Sequence, residues 1–431
     1  MSPAVPLSDL LDLLAAVDGD PRPVDAVTSG WLRGRRDLDD ETRGALIGAL
    51  YGLLRHHARL GWWLDRMHME DGPRERALAW LVLVEGLWPE AVTRRFPALT
   101  EDEAGMLADL KGQPLDHPDM PETTRLECPG WAEASLRARF GAAFAAEMAA
   151  CLAPPPLDLR INPNRTTQKA VLRELADMGL RAEKTPHAPH GIRVPERFSL
   201  ARLASLKSGA VEIQDEGSQL VAALVDARPG ERVADFCAGA GGKTLAMAAQ
   251  MQGRGRIVAC DVSEGRLKRC AERLKAAGLH NTETRLLTSE TDKWVKRRKG
   301  TFDRVLIDAP CSGTGTWRRN PDTRWRGSGA AGLADLVALQ SRIFASAARL
   351  VKPGGRLVYA TCSLLPEENE VQVAAFLAAH PAFRLVPLGD VMPDIASISP
   401  GDFLSLTPAC HDTDGFFAAV LERASVPAPP A

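Results

Sequence analysis

Four side chains stand out for the chemistry they could share: Asp308, Cys311, Cys362 and Lys243. Val305-Leu306-Ile307 reads as a buried strand that delivers Asp308, Pro310 and Cys311 to a Gly-rich loop ending at Gly315. Tyr359-Ala360-Thr361-Cys362-Ser363 brings a second strand to an end in another thiol. In a parallel α/β sheet, ligands bind beyond the carboxyl ends of the strands, so an acid and two thiols placed there point to chemistry more than to packing. Such a set suits attack on an electron-poor ring. A thiolate adds to C6 of a pyrimidine and makes C5 nucleophilic; the acid hydrogen-bonds ring N3 and stabilises the adduct; a base later removes the C5 proton. Thiolate rather than thiol is the nucleophile, so Lys243 nearby would help by lowering a cysteine pKa. Either cysteine taken singly also reads as a small buried hydrophobe. The residues alone do not rank the two thiols.

A second motif supplies a place for a cofactor. Asp235–Thr244 reads D-F-C-A-G-A-G-G-K-T. Gly239, Gly241 and Gly242 let the backbone approach a ligand, and the helix that follows offers unpaired N–H groups at its start. A further strand ends in Asp261, about twenty residues on, a spacing suited to ribose hydroxyls. Together these describe a nucleoside cofactor in a Rossmann-like cleft. Gly242-Lys243-Thr244 also matches the end of a phosphate-binding P-loop, but Cys237 stands where that motif requires its first glycine.

The elements that must position these residues follow from the hydrophobic pattern. From Gln214 the chain alternates strand and helix, the mark of a doubly wound α/β sheet. Strands are expected at Arg232–Phe236, Arg256–Cys260, Asp303–Ile307 and Gly355–Tyr359, with a last strand pair near Phe416–Leu421. Helices are expected at Gln219–Val225, Leu245–Gln250, Arg266–Ala277, Leu333–Leu350 and Glu367–His380. Before this domain, Pro154-Pro155-Pro156 marks a linker. A small α+β module follows, with strands at Leu157–Ile161, Ile192–Val194 and Ala210–Ile213. Its helices are expected from Thr167, as cap, to Met178 and around Ser199–Leu206. Arg160, Asn162, Asn164 and Arg165 lie where its first strand meets its helix; phosphate contact and plain turn-and-cap chemistry are both open for them. From Leu7 to about Met148 the pattern is helical, with Leu46, Ile47, Leu50, Leu53 and Leu54 at helical spacing and further helices at Ala77–Leu87 and Ala132–Met148. His56-His57 reads as a solvated helix face, because adjacent positions point to different sides. The organisation expected is therefore 1–150 all-α, 154–213 a small α+β RNA-binding module, and 214–424 the catalytic α/β domain.

Composition bounds the rest. With 431 residues the chain exceeds one ordinary domain, and 45% hydrophobic residues support a packed globular protein. A formal net charge of −2 means that any nucleic-acid site is a local basic patch and not a global field. Cys128, Cys151, Cys237, Cys260, Cys270, Cys311, Cys362 and Cys410 form no C-x-x-C pair, which argues against a zinc site or a redox dithiol and for reduced cytosolic thiols. Met1-Ser-Pro-Ala-Val-Pro has no basic region before its apolar residues, so it does not read as a signal peptide. The most apolar run, Ala77–Trp88, is too short for a bilayer. A cytoplasmic protein without a metal is expected, and nothing demands a partner chain.

Asp308-Ala309-Pro310-Cys311-Ser312 with Thr361-Cys362-Ser363 resembles the RNA cytosine-C5 methyltransferases of the RsmB/Nop2/Sun family. The resemblance runs from about Leu157 to Leu421. It includes Gln214-Asp215-Glu216-Gly217-Ser218-Gln219, Arg318-Arg319-Asn320-Pro321-Asp322 with Trp325, Pro366-Glu367-Glu368-Asn369-Glu370 and Asp414-Gly415-Phe416-Phe417. It implies a Rossmann-like class I methyltransferase domain using S-adenosylmethionine, with Cys362 as nucleophile, Cys311 aiding product release and Asp308 between cofactor and base. By the same resemblance Cys237, Ala238, Gly239, Ala240, Gly241, Gly242 and Lys243 hold the cofactor together with Asp261, Arg266 and Asp308. Two departures stand out. Gly239-Ala240 replaces the family's Ala-Pro, and Thr288 or Ser289 stands where an acid near the adenine is usual. The run Ala49–Leu60 with Trp62-Trp63 resembles the NusB-like RNA-binding domain found in the 16S ribosomal RNA enzyme of this family.

RNA, most of all small-subunit ribosomal RNA, is then the expected partner. Arg266, Lys268 and Arg269, the group Lys293, Lys296, Arg297, Arg298 and Lys299, and Arg318, Arg319, Arg324 and Arg326 with Trp317 and Trp325 suit phosphates and stacked bases. The target cytidine must leave its stack to meet a thiol. Two competing readings remain: a P-loop nucleotide triphosphatase, and an RNA-binding assembly factor that has kept the fold and lost catalysis.

Overall fold

The computed structural model describes residues 6–96, 98–195, 198, 200–326 and 329–425. Met1–Val5 of the opening segment and Ser199, the expected start of a helix, lie outside the described residues. Two compact units result: residues 1–137, 142–152 and 320–327 form one, and residues 138–141, 153–319 and 328–431 the other.

The first unit is helical. Asp40–Arg55 carries the Leu46, Leu50 and Leu53 stripe into a core with Leu60, Trp63 and Leu78. The expected Ala77–Leu87 helix is Pro73–Leu83, since a proline is tolerated at the first helical position. The expected Ala132–Met148 helix is broken at Gly141 into Gly130–Phe140 and Phe144–Ala150. His56 and His57 do not sit on a solvated face. His56 Nδ1 meets Gly52 O at 2.6 Å and His57 stacks on Trp325 at 5.0 Å; burial pushes each imidazole down to about 4. The helix after them lacks a side-chain cap of its own, and the buried Glu127 supplies one by accepting from Ala58 N and Arg59 N at 2.7 and 3.1 Å.

The second unit holds two sheets. Its strands are β1 Leu157–Ile161, β2 Glu183–Lys184, β3 Gly191–Val194, β4 Val211–Ile213, β5 Arg232–Asp235, β6 Arg256–Asp261, β7 Thr282–Leu286, β8 Phe302–Asp308, β9 Val351–Thr361, β10 Phe383–Val386, β11 Leu404–Leu406 and β12 Phe416–Arg423. The small antiparallel sheet has the order β2-β3-β1-β4, with the Gln168–Asp177 helix capped by Thr167 as expected. The expected helix near Leu206 is a short turn, Leu200–Arg202, followed by Ala204–Lys207. The large sheet has the order β10-β12-β9-β8-β5-β6-β7, with β11 paired to β12. Strands β9, β8, β5, β6 and β7 run parallel, and β12 is antiparallel to β9. Their nearly continuous apolar character, as in Val305-Leu306-Ile307, follows from helices covering both faces. Strand β5 pairs with β6 on one side and β8 on the other, so the order of strands reverses there. A crevice opens beyond the strand ends at such a point.

The four polar residues of the first small-sheet turn are spent on the backbone. The buried Arg160 donates to Gln214 Oε1 and, at 2.8 Å, to Gly242 O; Asn162 Oδ1 accepts from Asn164 N at 3.1 Å. Asn164 Nδ2 donates to Ala249 O at 2.7 Å and Arg165 to Ala276 O at 2.6 Å. Turn-and-cap chemistry therefore accounts for them. No described helix is long and apolar enough to cross a membrane.

Candidate active site

A cavity of about 520 Å³ opens at the switch point. Backbone bonds fix its floor: Phe236 N donates to Leu306 O, Ala238 N to Cys260 O and Ala309 N to Ala360 O, each at 2.8 Å. Gly241 takes φ +84°, a left-handed conformation that opens the Gly242–Gln250 helix, and a side chain there would meet Cys270. Arg273 donates to Ala240 O at 2.6 Å and holds the turn from behind.

Of the residues expected at the site, Cys237, Ala238, Gly239, Ala240, Gly242, Lys243, Asp261, Arg266, Asp308, Cys311 and Cys362 all line this cavity. Gly241 does not; it shapes the turn from outside the wall. Asp261 already accepts from Gly239 N at 2.9 Å and Ser263 N at 2.8 Å, so it sets the glycine turn as well as facing the cavity. A carboxylate has about four acceptor positions, which leaves room for ribose hydroxyls. The Gly-rich turn, the facing acid and this volume fit an adenosine-bearing cofactor. Among the described residues no cluster of histidine, cysteine, aspartate and glutamate could hold a metal ion.

The two thiols meet, with Cys311 Sγ and Cys362 Sγ 3.4 Å apart. The hydrogen bond to Cys362, and then burial, push the Cys311 thiol well above its ordinary range. At that distance either sulfur can serve as the donor to the other. Burial, and then the charges of Asp235, Asp308 and Asp261, raise Cys237 well above normal, which makes it an inert wall residue. Lys243 Nζ donates to Asp308 Oδ2 at 2.8 Å. Burial disfavours the ammonium, but the Asp308 carboxylate outweighs it and the pKa ends above its usual value.

The loops that carry the thiols are stitched together by residues to which the sequence assigned no role. Glu368, fully buried, accepts from Ser312 N at 2.8 Å and from Gln340 Nε2 at 2.9 Å. Asn369 brackets Cys362: its Oδ1 accepts from Thr361 Oγ1 at 2.5 Å and its Nδ2 donates to Ser363 O at 2.8 Å. Gly315 N donates to Cys362 O at 2.9 Å, and Gly415 N to Gly315 O at 2.7 Å; the two glycines pack backbone to backbone, leaving no room for a side chain. Asn369→Ala removes both brackets without touching a reacting atom. It is expected to lower kcat by about 10²-fold, the scale of a 1 Å misplacement, with KM for the cofactor unchanged; steady-state kinetics checks this.

Glu290 was also missed. It lines the cavity with Leu287, Leu339 and Ile343, and Arg342 Nε donates to its Oε1 at 2.8 Å. An acid thus stands just beyond Thr288 and Ser289, displaced along the loop. The Thr288 hydroxyl donates to Asp292 Oδ2 at 2.9 Å. The helical spacing of Leu339 and Ile343 carried the signal for one wall; nothing local marked Glu290.

Most of the expected basic patch is not at the cavity. Arg318 is buried against Asp412 and Asp414, and Arg319 pairs with Asp414 and Asp215. In the helical unit, Arg324 donates to Glu127 O and Cys151 O at 2.7 and 2.8 Å, and Arg326 to Asp20 O at 2.9 Å. Trp317 is buried, and Trp325 is the ring on which His57 stacks. Arg266 is the one residue of the expected patch that lines the cavity. The P-loop reading also fails on geometry. Thr244 Oγ1, which would face a metal-bound phosphate, is buried and donates to Asp235 Oδ2 at 2.6 Å.

That aspartate has a measurable consequence. Burial, helped by the charge of Asp308, lifts Asp235 to about 7, although the Thr244 bond works the other way. Its pKa in the folded protein lies above the unfolded value, so the folded state binds the proton more tightly between about pH 4 and 7. Its contribution is full below the unfolded pKa and is lost as pH rises through 7. Asp235→Asn keeps an acceptor for Thr244 and is expected to flatten that fall, gaining a few kcal/mol over the wild type at pH 8 relative to pH 5. Urea midpoints at the two pH values measure it; Asp215, also lifted to about 7 by burial and then Asp414, retains part of the slope.

Comparison with known proteins agrees with this geometry. The sequence model of the family described as 16S rRNA methyltransferase RsmB/F matches residues 222–422, and the ferredoxin-like domain of RsmF/B-like methyltransferases matches residues 128–201. The chain is 33% identical over 405 residues to the ribosomal RNA small subunit methyltransferase B of Sodalis glossinidius, covering 89% of this chain and 90% of that one. It is 38% identical over 274 residues to the probable ribosomal RNA small subunit methyltransferase B of Synechocystis, covering 63% of this chain and 60% of that one. Among solved structures, a methyltransferase homolog from Pyrococcus horikoshii superposes with a TM-score of 0.60 at 29% identity, over 70% of this chain and 97% of that one.

Proposed function

The chain belongs to the 16S rRNA methyltransferase RsmB/F family, and from that premise we propose that it methylates carbon 5 of a cytosine in small-subunit ribosomal RNA. It is an S-adenosylmethionine-dependent RNA methyltransferase; the finer assignment rests on the paired thiols beside Asp308. When bound, S-adenosylmethionine supplies an electrophilic methyl group. The turn from Cys237 to Lys243, with Asp261 and Arg266, would hold it at the switch-point cavity that they border.

Cys362 attacks C6 of the flipped cytosine as a thiolate, forming a C–S bond and moving the electron pair toward C5. Cys311, whose thiol is pushed up by the hydrogen bond to Cys362 and by burial, stays beside Cys362 until attack. Asp308, its Oδ2 held by Lys243, turns its other oxygen to ring N3 and relays there the proton that Cys362 gives up on becoming a thiolate, so that the N3–H of the adduct donates to the carboxylate. After methylation the C5 proton leaves to a base, the C6–S bond breaks, and Cys362 departs with the electron pair; Cys311 assists that release. Glu290 takes the adenine-side place that Thr288 and Ser289 leave empty. Glu290→Gln is expected to weaken cofactor binding by about tenfold, the worth of one charge-assisted hydrogen bond, with little change in kcat; calorimetric titration checks it.

The 1–150 helical region is assigned to RNA recognition, and work on ribosomal RNA is expected in the cytoplasm. The assembly-factor reading rested on the missing acid; Glu290 in the cavity wall supports the enzyme reading over it. The test is bisulfite sequencing of ribosomal and transfer RNA from cells with and without the gene. Loss of one protected cytidine in small-subunit RNA, restored by the wild-type gene, supports the proposal. An unchanged pattern in every RNA would bring the assembly factor forward.

A further inference from the structure

A second cavity, of about 640 Å³, lies across the Gly329–Ala348 helix from the first. Leu339 and Ile343 face the cofactor side, whereas Arg342, Ser346 and Arg349 face the second cavity. Lys299 and Arg423 complete a cationic wall beside His380, and no carboxylate lines it. In a chain of net charge −2 such a concentration of one sign is a local construction. Lys299 and Arg349 make no ion pair among the described residues. Arg342 spends one donor on Glu290 and Arg423 one on Val351 O, leaving most of each guanidinium's five donors. The exposed run Lys293, Lys296, Arg297 and Arg298 leads up to Lys299 and also lacks acidic partners among the described residues. Phe383 lies in the wall, and the His380 ring is held flat against Phe376 at 4.3 Å.

Spaced cations along a concavity with an aromatic ring within reach match a single-stranded nucleic-acid backbone: the cations meet successive phosphates and the ring meets a base. A lone inorganic anion would not need a wall that extends from Arg342 to Arg423. We propose that this cavity is a second RNA-backbone site, holding phosphates of the substrate away from the target base. It rests on the reading of RNA as substrate. It also gives a place to the Lys293–Lys299 cluster, which does not line the catalytic cavity.

The test is fluorescence anisotropy of a single-stranded RNA oligomer with the full chain, without cofactor, over a series of salt concentrations. Wild type is compared with Lys299→Gln, Arg349→Gln and the double variant. Each single change is expected to weaken binding by about three- to tenfold at low salt. Each should also reduce the slope of log K against log salt by about 0.7, the value for one phosphate on a single strand. Calorimetric affinity for S-adenosylhomocysteine should match the wild type in all variants, which shows that the fold is intact. Wild-type slope and affinity in the double variant would overturn the proposal while leaving the methyltransferase reading untouched. So would a site that takes ATP and loses it on mutation with no change toward RNA. Failure of the wild-type protein to bind any RNA would remove the substrate reading and this proposal together.

Discussion

Cys362→Ala is expected to abolish methyl transfer to RNA, lowering kcat by at least about 10⁴-fold, the scale on which loss of a covalent nucleophile acts. Cofactor binding should remain, because Cys362 touches the cavity only at its catalytic end. Cys311→Ala is expected to behave differently. The thiol pair sits at 3.4 Å, within reach of a hydrogen bond between the sulfurs. Removing Cys311 leaves a nucleophile that can attack and accept the methylated ring but has lost its partner for release. A covalent protein–RNA adduct that survives denaturing gel electrophoresis is the expected product, absent in Cys362→Ala and in the double variant. An adduct from Cys362→Ala, with none from Cys311→Ala, would exchange the two roles.

Asp308→Asn should also cost about 10³-fold in kcat, within the range set by loss of a positioned acid or base. It strikes stability as well. The Lys243 side chain is 9% exposed, and its ammonium rests on Asp308 Oδ2. Breaking a buried pair from one side leaves an uncompensated charge; because Asp308 is 33% exposed, the loss is about 2 kcal/mol and not the full value for a dry site. Adding Lys243→Met removes the stranded charge with little change in volume. The double variant is therefore expected to recover most of the urea midpoint and none of the activity. Recovery of activity along with stability would make the pair a structural support and take Asp308 out of the chemistry.

Much of the catalytic domain was legible because its signals are local. A strand buried on both faces has to be an apolar run, and Val305-Leu306-Ile307 is one; its polar residues gather toward its two ends, Asp303 and Arg304 at the start and Asp308 at the finish, with Cys311 just beyond. A left-handed helix entry asks for glycine, and Gly241 is there. Boundaries shifted where local propensity was ambiguous. Val351–Thr361 began earlier than its apolar core suggested, because Lys352, Pro353 and Gly354 ride on the end of a strand that Asp303 and Arg423 already hold in place.

The sequence by itself determined the alternation of strand and helix, the thiols at strand ends, the cofactor turn and the resemblance that named a reaction. Only the tertiary structure decided which charges are available. Arg318, Arg319, Arg324 and Arg326 look identical to free cations in a string of letters, yet each is consumed by a carboxylate or carbonyl, and only the fold brings these partners into contact. It also decided that the two thiols meet at 3.4 Å, that Glu290 reaches the cavity past Thr288, and that Lys299 faces a different concavity from Cys362. Periodicity and turn chemistry act between neighbours in the chain and can be read from it. Pairing, burial and the pKa values that follow depend on contacts between residues far apart, and those exist only once the chain has folded.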